Sequence, residues 1–289
     1  MSGAKKPTWR RVLYEHQPFP DNWFDDQKFL DQLQLSSPVV SLSSIDLLHS
    51  ITIVADQFTA VSLFLTIYKY LVLPGAAVAP LICFDFVLLF IGYITHWAFD
   101  NQSYDVKSSF FYCILFCGYL RIISPILQSL TSSYSEDTIH ACSFFFSTVH
   151  LVSQDYSYIN GTTHKFTGTL SLNAAMFTAV LLASRLDTLK KTAVFILLAV
   201  ILFCFFPSTI RVLKKRSLFI HIVLTTLLWL ATSCLLFNLD YTLLFAYEIT
   251  VCFVSIICPF WLKYVGSKYK KSLRGPWDIA EIPEVDKEE

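Results

Sequence analysis

Arg121 stands inside an apolar run, CILFCGYLRIISPILQSL, where an ionised guanidinium is costly unless something pairs with it. Two carboxylates lie in comparable runs: Asp85 in LICFDFVLLF and Glu248 in LLFAYEITVC. If each run is a membrane helix, all three groups sit roughly 12–14 Å from the same surface at 1.5 Å per residue. An ion pair or triad joining Arg121 to Asp85, Glu248 or both is the chemistry this spacing permits. Helix-to-helix bonding is the favoured role for it; a lipid-phosphate or proton site is the sharper one. A second cationic group, Arg211, Lys214, Lys215 and Arg216 in RVLKKR, follows another apolar run. Placed just outside a bilayer, such residues attract anionic headgroups by about 1 kcal/mol each. The plainer reading is that they only enforce topology.

Other constellations are weaker. His96 and Asp100 are four apart in HWAFD, one residue short of the four intervening positions of membrane acyltransferase motifs. His140 and His150 share one short apolar run without the carboxylate a metal set needs. Glu281 and Glu289 match the E-x7-E spacing of some glycosyltransferases, but only within an acidic tail. There is no glycine-rich strand-to-helix turn, no DxD and no Rossmann-like unit to hold a nucleotide diphosphate. No cofactor or metal is therefore implied. All eight cysteines fall in apolar runs, without CxxC spacing, and read as small packing groups.

The elements that must position these residues follow from hydropathy. Of 289 residues, 54% are hydrophobic and only 15% charged, and the mean hydropathy is +0.53, a profile of a multi-spanning membrane protein. A net charge of zero argues against a nucleic-acid partner. About 20 mostly apolar residues cross a bilayer, and the sequence gives about eight such segments. They are 50–73, 76–98, 108–130, 137–153, 166–186, 191–207, 217–238 and 240–262, the fourth and sixth being short. Charge placement orients them. With both termini cytosolic, 17 of the 22 Lys and Arg fall on the cytosolic side, as the positive-inside rule favours. The fold class is an all-α membrane protein, a polytopic bundle between a cytosolic or interfacial segment (1–49) and a cytosolic tail (263–289). That topology puts the sequon Asn160-Gly161-Thr162 in the cytosol, where it stays unglycosylated.

The flanks are polar but aromatic. Trp9, Tyr14, Phe19 and Trp23 stand among charges, with Pro18 and Pro20 blocking a helix through QPFPD. Asp21 or Asn22 suits the cap of a helix starting just after. RGPWDIAEI, with Trp277 and Asp278, is built similarly near the other end. Trp9, Tyr14, Phe19, Asp21, Asn22, Trp23, Trp277 and Asp278 are the candidates for docking a cytosolic partner.

Read in order, the polar landmarks resemble a known family. Trp9 and VLYEHQPFPDN (12–22) are followed by SPILQSLTSSYSEDTIHACS (124–143), SLNAAMFTAVLLASRL (171–186), CPFWL (258–262) and GPWDIAEI (275–282). In this the chain resembles the PIG-C family, the C subunits of phosphatidylinositol N-acetylglucosaminyltransferase. The resemblance implies a non-catalytic multi-spanning subunit of the complex that moves GlcNAc from UDP-GlcNAc to phosphatidylinositol, the first step of GPI-anchor biosynthesis. It further implies the endoplasmic reticulum membrane, with a separate catalytic glycosyltransferase subunit and other membrane subunits as partners; within such a complex the chain reads as a scaffold and a candidate to present phosphatidylinositol. The alternative from another class is an autonomous membrane lipid acyltransferase or a small transporter.

Overall fold

The computed structural model describes residues 16–18, 34–36, 44–99, 106–129, 134–160, 165–269 and 272–274. The chain divides into two units, residues 1–42 with 262–289 and residues 43–261. In the first, strands β1 (Gln34–Ser36) and β2 (Ser272–Arg274) pair antiparallel, with Leu35 opposite Leu273. The docking candidates Trp9, Tyr14, Phe19, Asp21, Asn22, Trp23, Trp277 and Asp278 lie outside the described residues.

The second unit is all-α. Its helices are α1 (Ser44–Val72), α2 (Ala79–Phe99), α3 (Val106–Ser129), α4 (Glu136–Ser153), the single turn α5 (Tyr156–Ile159) and α6 (Thr169–Ala183). They continue as α7 (Leu189–Arg216), α8 (Leu218–Leu239) and α9 (Tyr241–Val265), the last of which begins in this unit and runs past its boundary at 261. Each apolar segment expected from hydropathy falls on one of the long helices. Among the described residues five helices, namely α1, α2, α7, α8 and α9, are long and apolar enough to cross a membrane.

α1 and α7 form the centre, because both are apolar nearly all round and each buries most of its length. On α1, Ile53, Ala60, Phe64, Ile67 and Leu71 make one inward stripe at helical spacing. Phe64 stacks on Phe195 of α7 at 4.3 Å and meets Phe203 edge-on at 5.1 Å. α4 and α6 form the closest helix pair. Small residues permit it: Ser143 and Ser147 on α4, and Ala175, Ala179 and Ala183 on α6, all buried and spaced four apart. α2, α8 and α9 are peripheral and turn Phe86, Phe90, Trp97, Phe219, Phe237 and Phe245 outward.

α7 corrects one sequence expectation. RVLKKR does not lie beyond the helix but forms its last turns, so that α7 runs nine residues past the expected end at 207. Pro207 does not stop it. The proline cannot donate to the Phe203 carbonyl, and the backbone widens into a π-helical stretch, Ile201–Phe205, where Phe206 N–H reaches Ile201 O. The same device recurs in α9, with a π-helical Phe253–Ile257 just before Pro259. Ser217 finally ends α7, donating its N–H to Leu213 O, and its hydroxyl accepts from Ile220 N–H to start α8.

Candidate functional site

One group of polar side chains gathers at the end where α4 and α7 finish, α6 and α8 begin, and α5 lies between. The basic end of α7 supplies the charges. Ile210 and Leu213 are buried, so their neighbours Arg211 and Lys214, three apart on one face, are held half-buried, while Lys215 and Arg216 are exposed. Four cations at a helix C-terminus also suit its dipole.

Arg211 lies over the Tyr158 ring, 3.9 Å from guanidinium carbon to centroid, a cation–π contact. Tyr158 is fixed in turn by Asp155. The Asp155 carboxylate caps α5 by accepting from Tyr158 N–H at 2.9 Å, and its other oxygen accepts from the Thr167 amide (2.9 Å) and hydroxyl (2.7 Å). Burial alone would raise the Asp155 carboxyl. The Thr167 and Tyr158 hydrogen bonds and the Arg211 charge outweigh it and hold the group below the ordinary carboxylate value. Lys214 Nζ donates to Asn160 Oδ1 at the end of α5 and lies within electrostatic reach of Asp56.

Beneath these cations is a buried pair that hydropathy alone passes over. Asp56 of α1 and His221 of α8 meet at 2.8 Å, Oδ2 to Nε2, with side-chain exposures of 1% and 0%. Asp56 Oδ1 has no hydrogen-bond partner among the described residues, and neither end of the fully buried Gln57 amide has one. The sequence signal was present: Asp56-Gln57 inside the first apolar run, and a histidine just inside the seventh. Both are ionisable or polar groups at a depth where they demand partners.

A second brace joins α4 to α6. His150 Nδ1 lies 2.7 Å from Ser171 Oγ and 3.0 Å from Ser171 O, and the Ser171 hydroxyl is shared with Gln154 Oε1 and His150 O. The residue types suggest a nucleophile and its base. The arrangement does not, because the serine hydrogen is drawn to Gln154 or His150 O, leaving Nδ1 to donate towards Ser171. All three side chains are also buried. Among the described residues, no three His, Cys, Asp or Glu side chains converge as a metal set.

The expected Asp85–Arg121–Glu248 network does not form. Glu248 accepts hydrogen bonds from Trp229 Nε1 (3.1 Å) and Ser233 Oγ (2.6 Å) on α8. Asp85 is fully buried, with neither oxygen partnered among the described residues. Arg121 is exposed. Equal depth along the helices says nothing about direction around the bundle. α2 packs on α7, α3 on α7 and α6, and α9 on α8 and α1, which keeps the three groups on separate sides. At the opposite end, Lys69 bonds Asp240 at 2.7 Å and buried Lys191 donates to Leu71 O at 2.8 Å, tying α1 to α9 and α7.

A family model described as phosphatidylinositol N-acetylglucosaminyltransferase (GPI2) matches residues 9–278. The C subunit of the human phosphatidylinositol N-acetylglucosaminyltransferase is 29% identical over 302 residues, covering 98% of this chain and 96% of its own. The Schizosaccharomyces pombe phosphatidylinositol N-acetylglucosaminyltransferase GPI2 subunit is 31% identical over 290 residues, 96% of this chain and 87% of its own. A Dictyostelium discoideum relative, provisionally named as the same C subunit, reaches 34% over 276 residues, 95% of this chain and 79% of its own. No solved structure matches the chain.

Proposed function

The chain belongs to the GPI2 family, and from that premise we propose that it is a non-catalytic, multi-spanning subunit of a complex that transfers GlcNAc from UDP-GlcNAc to phosphatidylinositol. Its part is to hold the complex together and present the acceptor lipid. The observation that carries this is the end of α7. Arg211 and Lys214 are clamped by Tyr158 and Asn160, while Lys215 and Arg216 beside them stand exposed. A phosphodiester at the membrane surface fits that edge: exposed cations attract it, and the clamped pair keeps the edge in place.

The eight-span topology with both termini in the cytosol, in the endoplasmic reticulum membrane, accompanies this role. Five apolar helices support it, and so does the coincidence of α3, α4 and α6 with the remaining segments. It puts the basic end of α7 on the cytosolic face, with the partners a catalytic glycosyltransferase subunit and further membrane subunits.

The test is affinity purification in mild detergent, followed by a GlcNAc-transfer assay on phosphatidylinositol vesicles. Lys215→Ala with Arg216→Ala should keep the other subunits bound and lower transfer several-fold, with recovery at raised lipid. Purification without a glycosyltransferase, or full transfer at every lipid concentration, would remove the assignment. Activity of the purified chain alone, lost in His96→Ala, would point to the autonomous enzyme instead.

A further inference from the structure

Arg121 offers more than a failed pairing. On α3 the buried side is narrow, formed by Leu120 and Ser124 with Phe116, Ile123 and Leu127 beside them, against α7 and α6. Everything else described turns outward: Leu115, Gly118, Tyr119, Arg121, Ile122, Pro125, Ile126 and Ser129. Ile122 is 75% exposed. Arg121 is eight residues from the end of α3 at Ser129, about 12 Å along the axis. Among the described residues, no ion pair or hydrogen bond reaches its side chain. The backbone next to it is also open on this side, because Pro125, four residues on, has no N–H for the Arg121 carbonyl. Gly118, one turn away on the same face, has nothing within 4 Å of where a Cβ would stand, so internal packing does not require it. A glycine there lets another helix approach closely.

We propose that this face of α3 is the docking surface for a transmembrane helix of another polypeptide, one carrying a carboxylate level with Arg121. Charge decides the occupant. An unpaired arginine facing hydrocarbon at that depth is strongly unfavourable, and a bidentate carboxylate is its best partner. Among the described residues a second copy of this chain has none to give at that depth: Asp85 is buried, and Glu248 is held by Trp229 and Ser233. The gap beside Gly118 admits a backbone, whereas a lipid phosphate would have to be drawn down from the surface. The inference rests on α3 crossing the membrane, as in the topology above.

The experiment uses the intact complex. A photo-crosslinking residue replaces Ile122 or Ile126, with Phe219 on α8 as the comparison. Products at Ile122 should contain another subunit's membrane segment bearing Asp or Glu. Arg121→Leu should lower recovery of that subunit about tenfold, with this chain still monodisperse. Arg121→Asp combined with Lys in place of that carboxylate should restore it. Products with lipid alone, products with a second copy, or undiminished recovery in Arg121→Leu would each overturn the assignment. If Arg121→Leu fails to fold, Arg121→Lys with the crosslink still decides it, since a retained charge should retain the partner. Impermeant labelling of Asn101→Cys and Ser132→Cys separates the two premises. Opposite sides without a crosslink sinks the docking surface alone, and the same side sinks the topology beneath it.

Discussion

Replacing Asp56 by alanine should be among the most damaging single changes in the bundle. The carboxylate bonds His221 at 2.8 Å, and neither side chain has more than 1% exposure. Removing it strands an imidazole nitrogen in a place water does not reach. Breaking one side of such a buried pair costs about 3–5 kcal/mol. At about 2–4 °C per kcal/mol for a chain of this size, melting should fall by roughly 10 °C or more. Lys69–Asp240 is the internal control, because it is equally short at 2.7 Å but 43% and 33% exposed. Solvent screens such a pair, so Lys69→Ala, which leaves the Asp240 cap of α9 in place, should shift melting far less. The assay is fluorescence-detected size exclusion of the tagged chain after heating in detergent. A third variant separates burial from pairing: Asp56→Leu with His221→Leu should recover most of the loss, since an apolar pair of similar volume leaves nothing unsatisfied. If Asp56→Ala melts within about 2 °C of the parent, or the double variant is no better than the single, a buried pair joining α1 to α8 is refuted.

Ser171→Ala should cost about 1–3 kcal/mol by leaving His150 Nδ1 and Gln154 without their shared hydroxyl, read by the same melting assay. The Asp155 cap should show acid sensitivity. Its carboxyl titrates lower when folded, so its stabilisation is complete above the ordinary value of 3.8 and is lost as pH falls through the folded one. Amide exchange at Tyr158 should accordingly quicken at that pH in the parent, while Asp155→Asn should exchange fast throughout. Asn160 should carry no glycan when the chain is made in microsomes, and a size shift removed by both endoglycosidase and Asn160→Gln would reverse the topology.

Much of this was legible in the chain. Membrane character, helical class and the position of each long helix follow from hydropathy alone, since a bilayer admits few other solutions for runs such as FILLAVILFCFFP. The end of α7 was missed because the apolar run stops at Pro207, and hydropathy does not see a helix that continues into charged residues. The backbone absorbs Pro207 by widening into a π turn, and a single proline with neighbours able to re-form bonds does not break a helix in a packed bundle.

The site was legible in kind but not in pairing. The sequence by itself determined that charged groups inside apolar runs need partners, and that RVLKKR marks one end of the bundle. Only the tertiary structure decided the matches: Asp56 with His221, Glu248 with Trp229 and Ser233, Arg121 facing out. Depth along a helix is set by residue count at 1.5 Å per step. Direction around the bundle depends on which helices are neighbours, and that is settled by small-residue packing such as Ser147 against α6 and by the Phe64–Phe195 stack. Position along the membrane normal is a local property of the chain; azimuth is a property of the whole fold.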